Sequence, residues 1–117
     1  MGKLTTHVLD TAHGRPGAGI ALELFRCGES ARALLGRQVT DADGRCAGPL
    51  LEGDAMVVGQ YEIDFHVGEY FAGMGVKLPQ PAFLDHVTVR FGIADIAAHY
   101  HVPLLVSPFG YTTYRGS

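Results

Sequence analysis

VVGQYEIDFHV (Val57–Val67) is the stretch whose reading decides the fold. Every second residue, Val57, Gly59, Tyr61, Ile63 and Phe65, falls on one face. A period of two is the mark of a strand with one buried side, whereas a helix would repeat its apolar residues every three to four positions. The same period recurs on both sides of this segment. Leu4, Thr6 and Val8 alternate with Thr5, His7 and Leu9 near the front, and GIALELF (Gly19–Phe25) places Ile20, Leu22 and Leu24 together. ALLGRQVT (Ala33–Thr40) and FLDHVTVRFGI (Phe83–Ile93) read as further strands. HYHVPLLVS and FGYTTYR close the chain, separated at Ser107-Pro108.

Turn chemistry punctuates these runs. AHGRPG (Ala12–Gly17) is rich in Gly and Pro, and DADGRC (Asp41–Cys46) contains Asp43-Gly44, the strongest local turn signal. GPLLEGDAM and KLPQPA read as loops. GEYFAGMG (Gly68–Gly75) has room for one short helix ended by glycine, and IADIAAHY fits a helical turn as well as a strand. Seven or eight short strands, with a turn every 8–12 residues or so, predict an all-β antiparallel sandwich. A chain of 117 residues, 47% hydrophobic and 18% charged, suits a single domain over 1–117 with its own core and apolar surface to spare for a subunit interface.

The same composition narrows the function. A net charge of −3 gives no electrostatic case for nucleic acid or an anionic membrane surface. No apolar run approaches the roughly 20 residues of a membrane span. The opening MGKLTTHVLD lacks the apolar core of a signal peptide, and the closing RGS is not the SKL peroxisomal address, so a cytoplasmic protein is expected. Cys27 and Cys46 show no metal-ligand spacing and are expected as free thiols.

His99 and His101 are the first candidates for chemistry. On a strand they share a face, beside Pro103 and Leu105, while Tyr100, Val102, Leu104 and Val106 form the core side. Three uses compete: hydrogen-bonded structural histidines, a metal pair, and acid–base work. A metal pair would want further ligands, and none stands at a recognised spacing. His7 lies in a strand otherwise made of Thr, Leu and Val, and Arg45 follows a turn glycine. By itself each reads more readily as structural or solvated. There is no nucleophile elbow and no phosphate-cradling glycine loop, so hydrolysis here would use an activated water. In the tail, an extended backbone puts Tyr111, Thr113, Arg115 and Ser117 on one face and Thr112, Tyr114 and Gly116 on the other. Tyr114 and Arg115 meet in one site only if the strand bends, which Gly116 permits.

LTTHVLDTAHGRPGAGIALEL (Leu4–Leu24), the turn DGRC, the stretch YEIDFHVGEYFAG and the end HYHVPLLVSPFGYTTYRGS together resemble the transthyretin-like 5-hydroxyisourate hydrolases over essentially the whole chain. YRGS (Tyr114–Ser117) is the most specific piece, because it separates these hydrolases from the hormone carrier of the same fold. The resemblance implies a transthyretin-like β-sandwich of two four-stranded sheets with one short helix. It also implies a homotetramer, a dimer of dimers with its sites at the interface, and a ring-opening hydrolysis of 5-hydroxyisourate to 2-oxo-4-hydroxy-4-carboxy-5-ureidoimidazoline in urate degradation. No metal or organic cofactor is implied. His7, Arg45, His101 and Ser117 correspond to catalytic positions, and His7, Arg45, Tyr114 and Arg115 to substrate-binding ones. Two other classes compete with this expectation: a carrier for a small aromatic ligand, and a metal-binding or adhesion sandwich built around HYH.

Overall fold

The computed structural model describes residues 1–116; Ser117 lies outside the described residues. Among the described residues nine strands make two sheets facing each other, accompanied by one α-helix and one short 3₁₀ turn. The strands are β1 (Lys3–Asp10), β2 (Arg15–Pro16), β3 (Ala21–Cys27), β4 (Arg32–Val39), β5 (Leu51–Glu52), β6 (Gly59–His66), β7 (His86–Ile93), β8 (His99–Ser107) and β9 (Gly110–Thr113). The helix α1 is Val67–Gly73, where the glycine-bounded segment predicted it. One sheet runs β2-β1-β8-β9 and the other β4-β3-β6-β7, so the expected two sheets of four are present. The two-residue β5 adds a fifth member to the first sheet by pairing with the start of β1. IADIAAHY resolves into the end of β7, a tight turn and the start of β8.

The alternation does what it promised. Tyr61, Ile63 and Phe65 of β6 pack between the sheets against Leu22 and Leu24 of β3, Leu4 and Val8 of β1, and Val102, Leu104 and Val106 of β8. Phe71 of α1 joins this core. Each such side chain, taken wholly out of water, contributes roughly 1.5–3 kcal/mol. Polar groups dragged in are satisfied: Thr6 Oγ1 donates to the Val102 carbonyl at 2.7 Å, and Asp10 accepts from two backbone amides, His13 and Tyr70.

One pairing departs from the antiparallel expectation. β1 and β8 run parallel, with Lys3 opposite His99, Thr5 opposite His101 and His7 opposite Pro103. Two strands more than ninety residues apart in sequence therefore present their odd-numbered residues side by side on the outer face of the first sheet.

β8 also sets the path of the tail. It pairs antiparallel with β9, from Ser107 opposite Gly110 to Leu104 opposite Thr113. The register resumes at an isolated bridge between His101 and Gly116. Between the two stretches, Pro103 would face Tyr114, and proline has no N–H to donate there. Thr113 Oγ1 donates to the Pro103 carbonyl at 2.8 Å instead. The ladder thus loses a rung, and Tyr114 and Arg115 leave the strand path before Gly116 rejoins it.

Candidate active site

The outer face of the β1–β8 pair opens into a cleft of about 440 Å³ whose lining includes Lys3, Thr5, Arg45, Cys46, His99 and His101. Strand parity explains why the β1 and β8 members arrive together. Arg45 comes from the turn Asp41–Arg45, which is knotted by its own Asp: Asp41 Oδ1 accepts the amides of Asp43 and Arg45 at 2.9 and 3.1 Å. The turn docks on β1 through the Val8 amide, which donates to the Gly44 carbonyl at 2.8 Å. Gly44 has φ +77°, and a Cβ there would sit 2.3 Å from the Val8 carbonyl oxygen. Only glycine lets the turn approach β1 this closely and deliver Arg45 to the cleft.

His7 is held against the same turn. It bridges Arg45 through the backbone, and its Nε2 donates to the Asp43 carbonyl at 2.8 Å. A carbonyl only accepts, so this bond requires the proton on Nε2, and Nδ1 makes no hydrogen bond among the described residues.

His101 is partly buried. Its Nδ1 lies 2.8 Å from Thr5 Oγ1, and the same oxygen lies 2.8 Å from Nε2 of the exposed His99. Gly116 covers the ring: its amide donates to the His101 carbonyl at 2.7 Å, and a Cβ at this position would strike His101 Cδ2 at 2.6 Å. The His101 imidazole titrates below its ordinary value, chiefly because burial disfavours the cation. The positive charge of Arg45 pushes in the same direction, as do His99 and His7 when protonated. The result is an imidazole kept neutral, with Nδ1 anchored and Nε2 making no hydrogen bond among the described residues. Burial also pushes the Cys46 thiol up to about 11, with the Asp41 carboxylate adding to the effect, so Cys46 lines the cleft as a poor nucleophile.

Of the residues singled out in the sequence, His7, Arg45 and His101 converge on this face. Tyr114 and Arg115 do not: with Thr113 they line a separate groove between β7 and the end of the chain. Arg115 stacks its guanidinium 4.1 Å from the centre of the Tyr100 ring, and Tyr114 is 57% exposed. The two share one groove because the lost rung at Pro103 bends the strand between them. Ser117 lies outside the described residues. Thr5 went unnoticed in the sequence, where it reads as strand filler; its parity with Lys3 and His7 was the available signal. Cys27 and Cys46 are both free. Among the described residues no group of three or more His, Cys, Asp or Glu is placed to hold a metal ion, and no helix is long and apolar enough to cross a membrane.

A two-sheet sandwich with one parallel strand pair, carrying two histidines and an arginine over an open outer cleft, defines a narrow class. The profile of the HIUase/Transthyretin family matches residues 4–116, and the chain belongs to that family. It is 60% identical to the 5-hydroxyisourate hydrolase of Ralstonia nicotianae over 117 residues, covering 100% of both chains. Among solved structures, the Klebsiella pneumoniae 5-hydroxyisourate hydrolase superposes with a TM-score of 0.81 at 32% identity, covering 100% of both chains. The (S)-allantoin synthase crystal structure gives a TM-score of 0.93 at 48% identity; it matches 99% of this chain, which spans only 44% of that one.

Proposed function

We propose that this chain hydrolyses 5-hydroxyisourate, opening its ring to give 2-oxo-4-hydroxy-4-carboxy-5-ureidoimidazoline, in the degradation of urate. The observation that carries the reading is the neutral, anchored His101 beside Arg45 in one cleft, in a chain 60% identical over its full length to a relative bearing the hydrolase name. His101 takes a proton from water through Nε2, and the hydroxide formed adds to the ring carbonyl. Arg45 stabilises the oxyanion with its permanently charged planar fork. The ring C–N bond then breaks and its nitrogen takes a proton from an imidazole, His101 or His7. A positioned acid–base group of this kind contributes about 10²–10⁴-fold. The reading uses side chains and water, and invokes no cofactor.

The same reading assigns substrate contacts to Tyr114 and Arg115 and a water-orienting role to Ser117. On one chain Tyr114 and Arg115 occupy a different groove from His101. Their role therefore requires a neighbouring subunit to bring a cleft to them, which fits a homotetramer built as a dimer of dimers. A cytoplasmic setting, with no nucleic acid or membrane partner, completes the reading.

The test is the ultraviolet decay of freshly generated 5-hydroxyisourate with and without protein. Acceleration many-fold over buffer, with urate itself unchanged, is the expected result. Decay at the buffer rate would remove the assignment.

A further inference from the structure

Thr5 holds a position that the mechanism above does not use. Its single hydroxyl reaches a ring nitrogen of each of two histidines, His99 Nε2 and His101 Nδ1, both at 2.8 Å. A hydroxyl has one hydrogen to donate. When both imidazoles are neutral, Oγ1 therefore donates to one nitrogen and accepts from the other, and the tautomer of one ring dictates that of its neighbour. The rings stand edge-on, with centroids 6.3 Å apart and planes at 62°; each bonds Thr5 Oγ1 and no hydrogen bond joins them directly, so the hydroxyl is the hydrogen-bonding link.

We propose that Thr5 is a positioning residue that couples His99 to His101 in a proton relay. This rests on the hydrolytic reading and deepens it by saying where the proton taken from water goes. Before reaction, His101 carries its proton on Nδ1 and donates it to Thr5 Oγ1, leaving Nε2 as the base. Thr5 donates its own hydrogen to His99 Nε2, and His99 carries a proton on Nδ1. As water gives a proton to His101 Nε2, the Nδ1 proton passes to Thr5 Oγ1 and the Thr5 proton to His99 Nε2. His101 ends neutral with its proton on Nε2, Thr5 is again a hydroxyl, and His99 becomes the cation. The hydroxide adds to the substrate carbonyl. Breaking the C–N bond runs the relay backward and returns one proton to the leaving nitrogen, so no proton is gained or lost by the protein.

The placement favours this direction. His99 is exposed and His101 partly buried, so the positive charge comes to rest where water solvates it. The charged and titratable groups facing the pair are Lys3 and His7 on β1 and Arg45 and Cys46 from the turn; Arg115, in the neighbouring groove, donates from its guanidinium to the His99 backbone carbonyl at 3.3 Å. No carboxylate among the described residues lines the cleft to hold a cation on His101. Moving the charge outward by one residue pair separates it from Arg45 when Arg45 must serve the oxyanion.

Thr5→Val, Thr5→Ser, His99→Phe and the Thr5→Val/His99→Phe double variant test the relay. Thr5→Val is expected to lower kcat about 10–100-fold with KM changed less than about two-fold, and Thr5→Ser, which keeps the hydroxyl, to recover most of the loss. His99→Phe is expected to match Thr5→Val, and the double variant to be no worse than either, because both cut one chain. Rates in mixtures of H₂O and D₂O are expected to show several protons in flight in the wild type and one in Thr5→Val. An unchanged kcat and pH profile in Thr5→Val, or losses that multiply in the double variant, overturn the relay. If Thr5→Val does not fold, His99→Phe decides alone, since it leaves the Thr5–His101 bond in place. Imidazole ¹⁵N titration needs no turnover: coupled titration of His99 and His101 supports the link, and independent titration overturns it even if the wild type proves inactive on 5-hydroxyisourate.

Discussion

The two outer faces of the sandwich are both polar, and they use their polarity in opposite ways. On the β3–β6–β7 face, cations and carboxylates saturate each other. Arg32 grips Asp64 with both terminal nitrogens, at 3.1 and 2.9 Å, and reaches Glu62 as well. Glu62 also accepts from Arg90, and Glu23 accepts from Arg37 and His66. His66 and His86, opposite each other in the register, stack at 4.1 Å. On the β1–β8 face the groups lining the cleft are basic apart from the Cys46 thiol, which burial keeps protonated, and among the described residues no carboxylate lines the cleft beside them. Polar residues whose bonding capacity is consumed by neighbours build the protein. Those left with an open nitrogen beside a cavity are free to act on a ligand.

The sharpest way to break this contrast is His101→Ala. It is expected to cost about 10²–10⁴-fold in kcat on 5-hydroxyisourate while leaving Tm within a few degrees. Steady-state kinetics and calorimetry on the same preparation read both, and wild-type turnover would erase the distinction between the faces.

Arg45→Met is expected to lower kcat about 10²–10³-fold, as loss of an oxyanion donor does. It also carries a signed pH effect. The Arg45 charge is one of the causes holding His101 below its ordinary value, behind burial. Removing it raises the His101 pKa, so the acid limb of kcat/KM moves to higher pH. A limb that stays put, or moves down, would separate Arg45 from His101.

Arg32→Met sharpens the other side and is expected to have the smallest effect on catalysis, leaving kcat near wild type. It costs stability of about 1–3 kcal/mol, because buried Asp64 loses the guanidinium that satisfies it. Burial acts to raise the Asp64 pKa, but the Arg32 and Thr88 bonds outweigh it and hold the carboxyl below its ordinary 3.8. A depressed carboxylate stabilises the fold above its unfolded value, and that stability disappears as pH falls through the folded one. The Tm gap between wild type and Arg32→Met is therefore expected to be full near neutrality and to close below about pH 4. Calorimetry across that range measures it.

How much of this was legible beforehand depended on the physics of each element. β6, β3 and the core side of β8 could be read residue by residue, because a sheet with one wet face forces a two-residue period. α1 announced itself by its flanking glycines. β2 and β5 read as turn and loop in the sequence, since two-residue pairings carry no period at all. The parallel union of β1 with β8 was invisible, because alternation says which face a residue occupies and nothing about which distant strand lies beside it. That is why His101 stands out beside His99 from strand parity, while His7 and Arg45 join it only through a resemblance and Thr5 reads as strand filler. Its importance exists only once the register sets it opposite His101.

The missing rung at Pro103 has a mechanical consequence. A strand zipped at every residue would peel from its end, and His101 would lose its cover each time the terminus frayed. Here the chain is fastened on both sides of the gap, by β9 below and by Gly116 above, so Tyr114 and Arg115 form a belt-loop between two buckles. Arg115 is pressed inward on the Tyr100 ring and Tyr114 is turned out toward whatever approaches the groove, while the buckle at Gly116 covers His101.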